Sequence, residues 1–282
     1  MGSYGVVEEA SGGGRHDHLC WAYEDRAALA GQVVGFLSEG LAAGQRVCYA
    51  AADATDPIAR RLREIDGFTE AEERGAASVV PADSVYEPDT VIDPYEQVRI
   101  YAALTDAALA AGLAGLRVAA DATALVRTPA QVDAFARCEH LIDRYMVDRP
   151  YAALCAYDRA ALTDFTVAQL VCMHPLANTD VGLFRLHACP PADGAAALAG
   201  ELDMTTEVLF PLALDRADLR PTAGRLVFDA RELRFIDYHS VLDVADYARR
   251  RDATAVLRTS SRGASHLADL LGVDSVIVES AG

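Results

Sequence analysis

Leu19-Cys20-Trp21-Ala22-Tyr23-Glu24-Asp25-Arg26-Ala27 decides the fold: a short apolar strand runs into a polar loop, and Leu29, Val33, Phe36, Leu37 and Leu41 then recur at helical spacing before Gly44. A strand that feeds a helix through a short loop is the repeating unit of a parallel α/β sheet. The alternation continues to about Leu176, with strands expected at Arg46 to Ala51, Ala77 to Pro81, Leu116 to Ala120 and Tyr151 to Ala156. Asp56-Pro57, Asp93-Pro94-Tyr95-Glu96 and Thr128-Pro129-Ala130-Gln131 mark helix starts, each with a capping side chain followed by proline in the first turn. A second regime begins near Asn178. It holds expected strands at Gly182 to Ala188, Ala197 to Gly200, Arg225 to Ala230, Ala253 to Arg258 and Ser275 to Glu279. Helices are expected at Thr206 to Arg216, His239 to Arg251 and Arg262 to Leu271, the last closed by Gly272. The chain is therefore expected to be α/β throughout: a flexible tail over 1–14, which carries Ser11-Gly12-Gly13-Gly14, a parallel-sheet domain over 15–177 and a small α/β domain over 178–282.

The 282 residues are 52% apolar with a mean hydropathy of +0.11, enough to fill soluble cores. No stretch approaches the roughly 20 apolar residues of a membrane span, and residues 1–14 lack the apolar run of a secretory leader, so a cytoplasmic protein without membrane contact is expected. Net charge is −17, which repels a phosphate backbone and argues against direct nucleic-acid binding. All 25 basic residues are arginine, so no lysine is present to form a Schiff base or hold nucleotide phosphates. Cys20, Cys48, Cys138, Cys155, Cys172 and Cys189 show no C-x-x-C pairing and read as reduced thiols, mostly in the core.

The first strand, loop and helix resemble the RecA/KaiC-type ATPase fold, in which that loop carries G-x-x-x-x-G-K-[ST]. Here it reads Tyr23-Glu24-Asp25-Arg26-Ala27, with two carboxylates, no glycine and no lysine, so ATP is not an expected ligand. His18-Leu19-Cys20 ahead of Tyr23, Phe36 to Gly44, Leu116-Arg117-Val118, Ala153-Leu154-Cys155-Ala156-Tyr157-Asp158 and His174-Pro175-Leu176 together resemble the MEDS domain, the methanogen/methylotroph, DcmR sensory domain. The resemblance implies a degenerate KaiC-like sensor of small molecules such as hydrocarbon derivatives, and a possible homodimer. Asp121 departs from the glutamate of that family, keeping the charge on a shorter side chain.

His18, Cys20, Tyr23, Cys155, Tyr157 and His174 are the candidate ligand-binding residues, because strand ends converge in a parallel sheet. Three readings stay open for them. Two thiols and two imidazoles suit Zn²⁺, though without the short ligand spacings of a zinc finger; a polar pocket suits an organic effector; and buried thiols with hydrogen-bonded histidines suit a plain core. Neither a catalytic residue nor a metal ligand is assigned. Tyr86-Glu87-Pro88 reads as a surface turn or a lid over the pocket.

Leu198 to Met204, Arg225 to Ala230 and Leu233-Arg234-Phe235-Ile236-Asp237 resemble the STAS domain of anti-sigma factor antagonists, over Gly182 to Ala281. That resemblance implies a partner-binding surface at Asp237, Tyr238, His239, Ser240 and Val241, with an anti-sigma factor or related signalling protein as partner. Where such antagonists continue Asp-Ser-Ser/Thr-Gly with a phosphorylated hydroxyl before the glycine, this chain has His239 and then Ser240, so the usual switch is in doubt and Ser240 is the remaining hydroxyl. Arg249-Arg250-Arg251 reads as a helix C-terminus or an attraction for an acidic partner. The expected function is a signalling regulator in which small-molecule sensing controls a STAS-type interaction, without enzymatic activity. The alternatives are a thiol- or metal-dependent enzyme with a STAS targeting module, and an inert two-domain adaptor.

Overall fold

A computed structural model describes residues 5–12, 14, 16–51, 56–81 and 90–281. Its first sheet has seven parallel strands: β1 Gly5–Val6, β2 His18–Tyr23, β3 Arg46–Ala51, β4 Ala77–Pro81, β5 Leu116–Asp121, β6 Tyr151–Asp158 and β7 Leu176–Ala177, in the order β1-β7-β2-β6-β5-β3-β4. Around it lie α1 Arg26–Ala42, α2 Pro57–Arg63, α3 Phe68–Glu73, α4 Pro94–Ala110, α5 Pro129–Met146 and α6 Asp164–Val171. The expected caps form: Asp56 and Asp93 accept from backbone N–H groups two or three residues on, and Thr128 with Gln131 makes a reciprocal capping box; Asp25 caps α1 in the same way. Gly115 (φ +147°) is fixed by close approach, since a Cβ there would sit 2.2 Å from the Pro150 carbonyl oxygen.

The tail expected over residues 1–14 is not free where it is described. Gly5–Val6 extends the sheet beside Leu176–Ala177, Ala10 is buried, and the Ala10 N–H donates to Gln32 Oε1 at 2.8 Å. The exposed edge of β7 supplies the unpaired backbone groups that capture it. Tyr86-Glu87-Pro88 lies outside the described residues.

A second, mixed sheet is built from β8 Phe184–His187, β9 Ala196–Leu202, β10 Arg225–Asp229, β11 Leu233–Ile236, β12 Thr254–Arg258 and β13 Val276–Glu279. The order β11-β9-β10-β12-β13 is parallel, and β8 pairs antiparallel with β9. Its helices are α7 Leu209–Ala217, α8 Tyr238–Arg249 and α9 Arg262–Leu271. Short β11 is a strand the sequence pattern does not announce.

The two sheets share one core. Phe135, Leu170 and Val171 on the first side pack in the same cluster as Phe184, Leu186, Phe210 and Leu214 on the second. The Leu186 N–H donates to the Cys172 carbonyl at 2.7 Å, and buried Arg216 reaches across to Asp133 Oδ1 (3.2 Å) and Gln169 Oε1 (2.7 Å). Helix α5 is buried round most of its circumference because it has sheet on one side and the second module on the other.

Candidate functional site

Successive residues of a strand face opposite sides, so His18, Cys20 and Ala22 of β2 point one way and Leu19, Trp21 and Tyr23 the other. On β6 the corresponding set is Cys155 and Tyr157, in register with Cys20 and Ala22. Helix α5 crosses this face and lowers Glu139 onto it, while the turn after α6 brings in His174 from the far edge. Glu139 is the hub. Its Oε2 lies 3.0 Å from His18 Nε2, 3.5 Å from His174 Nε2 and 3.5 Å from the donating Cys155 thiol, and its Oε1 accepts from the Tyr157 hydroxyl. The His18 and His174 rings stack with centroids 4.1 Å apart.

Four of the six expected residues, His18, Cys155, Tyr157 and His174, therefore meet. Cys20 is next to them in register but contacts the shared core instead of the polar hub. Tyr23 is on the opposite face and does not belong to the cluster, a consequence of its odd spacing from His18. Glu139 and Asp143 are absent from the expected set. Their sequence signal is a carboxylate on an apolar stripe: Phe135, Glu139, Ile142, Asp143 and Met146 share one face of α5.

Burial favours neutral groups, and the cluster resists it with paired charges. Burial alone would lower His18, but Asp143 and Glu139 hold it up to about 9. Burial works against the Glu139 carboxylate, yet His174, His18 and Tyr157 draw it down to about 2. Burial and the neighbouring His18 cation push His174 down to about 4. The directions of these shifts favour a charged His18 between two carboxylates and a neutral His174. Burial, reinforced by Glu139, pushes the Cys155 thiol well up, the opposite of what a free nucleophile needs. A cavity of about 20 Å³, room for a water-sized group, lies against Glu139 and Cys155 with Tyr101, Phe135, Ile142 and Tyr151 as its walls.

A family model for MEDS, the methanogen/methylotroph, DcmR sensory domain, matches residues 17–175, which span this sheet and every residue of the cluster. The chain belongs to the MEDS family. Sensing, and with it a signalling role, follows from that membership. A comparison with curated proteins finds no match.

Tyr23 marks a second polar network of the MEDS module, at the carboxyl ends of β2, β3 and β5. Its hydroxyl donates to Asp121 Oδ2 (2.7 Å); Arg26 donates to the same oxygen (2.8 Å) and to Asp56 Oδ2 (2.9 Å), which also accepts from Tyr49 (2.8 Å). Arg26 opens α1, and the Ala27 N–H of its first turn donates to the Asp25 carboxylate. Shortened Asp121 still reaches both Tyr23 and Arg26.

In the second module Asp237 caps α8, accepting from the Ser240 N–H at 2.8 Å. Tyr238 and His239 are exposed and stack on each other, but Ser240 and Val241 are buried, so of the five residues expected to meet a partner these two face the core instead. They are the third and fourth residues of an amphipathic helix and turn inward with its apolar stripe. Ser240, the remaining hydroxyl of this segment, is 1% exposed. Four further exposed apolar side chains follow β9 (Met204), precede α7 (Val208) or lie on β11 (Phe235) and α8 (Leu242). Arg249, Arg250 and Arg251 pair with Asp246, Asp215 and Asp218, so the arginine run is used within the module. A cleft of about 580 Å³ lies away from the cluster, and its Arg220, Arg225 and Arg258 are held by Asp218 and Glu279. No described helix is long and apolar enough to cross a membrane.

Proposed function

We propose that the chain is a signalling regulator in which a small molecule sensed at the buried cluster of the MEDS module controls protein docking by a STAS-like second module. One observation carries the coupling. Asp143 faces both ways: its Oδ1 lies 3.3 Å from His18 Nδ1 inside the cluster, and its Oδ2 accepts from the Ala188 N–H of the second module at 2.6 Å. A change in charge or position at His18 therefore bears directly on the segment that follows β8. An effector shifts the balance only as far as it prefers one arrangement of these contacts.

The docking face is the group of exposed Met204, Phe235, Tyr238 and Leu242 about the start of α8. An anti-sigma factor or related signalling protein is the partner that the STAS-like order of strands and helices supports. The raised thiols of Cys20 and Cys155 favour this reading over a thiol enzyme.

A thermal-shift screen of short-chain hydrocarbon derivatives, followed by titration of an anti-sigma factor with and without the hit, tests the proposal. The hit is expected to stabilise wild-type chain but not His174→Ala, and to change partner affinity by about 5- to 150-fold. A hit that stabilises both proteins equally, or that leaves partner affinity unchanged, removes the coupling from the account.

A further inference from the structure

One donor atom from each of four separate segments converges in the cluster, and all four lie within 4.8 Å of one another. We propose that His18 Nε2, Glu139 Oε2, Cys155 Sγ and His174 Nε2 form a tetrahedral binding site for a divalent transition-metal ion of the zinc type. The inference stands on geometry alone and holds whether or not a small molecule regulates the second module.

Four edges of the donor set lie within a few tenths of an ångström of the length a tetrahedral ion sets, and all six are below 4.8 Å. Glu139 Oε2 is 3.0, 3.5 and 3.5 Å from the other three donors, and Cys155 Sγ is 3.9 Å from His18 Nε2. Bonds of about 2.0–2.3 Å from zinc to nitrogen, oxygen and sulfur set tetrahedral edges of about 3.3–3.8 Å. Two imidazoles, a thiolate and a carboxylate are a donor set that a borderline-soft ion accepts and that Mg²⁺ or Ca²⁺ does not.

The surrounding groups have the pattern of an outer shell. A metal-binding histidine turns its other ring nitrogen to a carboxylate or a carbonyl. His18 Nδ1 faces Asp143 Oδ1 at 3.3 Å, and His174 Nδ1 is 2.9 Å from the Leu170 carbonyl oxygen. The free oxygen of Glu139 is occupied by the Tyr157 hydroxyl. The contacts of His18 with Glu139 and Asp143 account for those three residues only. They leave His174 Nε2, fully buried, without a hydrogen bond beside the same oxygen that the Cys155 thiol meets. An ion at the centre gives that nitrogen a partner.

Ligation forms bonds from the ion to two nitrogens, one sulfur and one oxygen. The Cys155 thiol proton and the proton held between His18 Nε2 and Glu139 Oε2 leave to water, so two protons are exchanged for one divalent cation and the net charge of the cluster is unchanged. Asp143 touches no ion in this arrangement and is a positioning residue.

The test uses the full chain, stripped of metal by chelator and dialysed against Zn²⁺ or Co²⁺. One ion per chain is expected by elemental analysis. The Co²⁺ form is expected to show the strong visible absorption of tetrahedral coordination and a thiolate-to-cobalt charge-transfer band. Cys155→Ser is expected to lose the charge-transfer band, while Asp143→Asn weakens Zn²⁺ binding by about 10- to 100-fold and keeps the stoichiometry. Wild-type chain that stays folded by circular dichroism yet retains no stoichiometric ion overturns the site, whatever the variants do. So does a Co²⁺ spectrum of octahedral type, or a charge-transfer band that persists in Cys155→Ser. Loss of effector coupling with the ion still bound would instead count against the sensing proposal alone.

Discussion

Glu139 accepts from a phenol and a thiol and pairs with two imidazoles, all without solvent. Removing it leaves the His18 charge with one carboxylate instead of two and takes the acceptor from Tyr157 and Cys155. Glu139→Ala is expected to cost about 3–5 kcal/mol, the range for breaking a buried charged pair, read as a shift in urea midpoint at constant m-value. A loss below about 1 kcal/mol would mean that the cluster contributes little to the fold. A backbone position gives a second prediction at this scale. Gly200 has φ +91° on β9, and a Cβ there would lie 2.2 Å from the Leu183 carbonyl oxygen. Gly200→Ala is therefore expected to destabilise by more than the roughly 1 kcal/mol of an average point substitution, by opening the β8–β9 pairing. His18, Cys155, Tyr157 and His174 are legible in the sequence because their residue types stand out at strand ends. Tyr23 misleads because nearness in sequence hides the parity that sends it to the other face. Glu139 is hidden because a lone carboxylate in a helix ordinarily marks the solvent side, and only its place among Phe135, Ile142 and Met146 reveals the reverse.

Among the elements, the long helices are the most legible, since each begins with a capping side chain whose hydrogen bond the structure contains. Asp237→Ala deletes the cap of α8 and is expected to cost about 1 kcal/mol, measured by chemical denaturation. Double substitution of exposed Phe235 and Tyr238 by serine is expected to leave that stability nearly unchanged while abolishing capture of an anti-sigma factor. Equal losses in stability and binding would show that these rings belong to the core. The short elements escape a sequence reading for a physical reason. Strands of two residues such as β1 and β7 have no period to detect, and the Gly-rich composition around Gly5–Val6 matches that of a free tail. β11 is four residues long with a register shift against β9, so its alternation is broken.

At the scale of the whole molecule, two modules that read as separate in sequence are joined by one core and by charged contacts across it. A composition shift near Asn178 marks the change of sheet, but no linear pattern shows that α5 will be covered by both. Asp133 is a charged part of this junction. Burial opposes its ionisation, but Arg216 and Arg137 hold its carboxyl below the usual 3.8. A carboxyl lowered in the folded state adds stability above its unfolded value and loses it as pH falls through the folded one. Asp133→Asn is thus expected to lower the unfolding midpoint at pH 7 and to make a smaller difference at pH 3, seen by thermal denaturation at both values. An equal effect at the two pH values would remove charge from the junction.

The central claim is that the buried cluster and the second module are one coupled unit, and hydrogen exchange of wild-type chain against His18→Gln tests it most directly. Asp143 gives the shortest described route from His18 to the second module, through the Ala188 N–H. Faster exchange in β8 and at the start of α8, with β3 and β4 unchanged, is the expected result. Exchange altered only within residues 17–175, with the second module identical in the two proteins, would contradict the coupling.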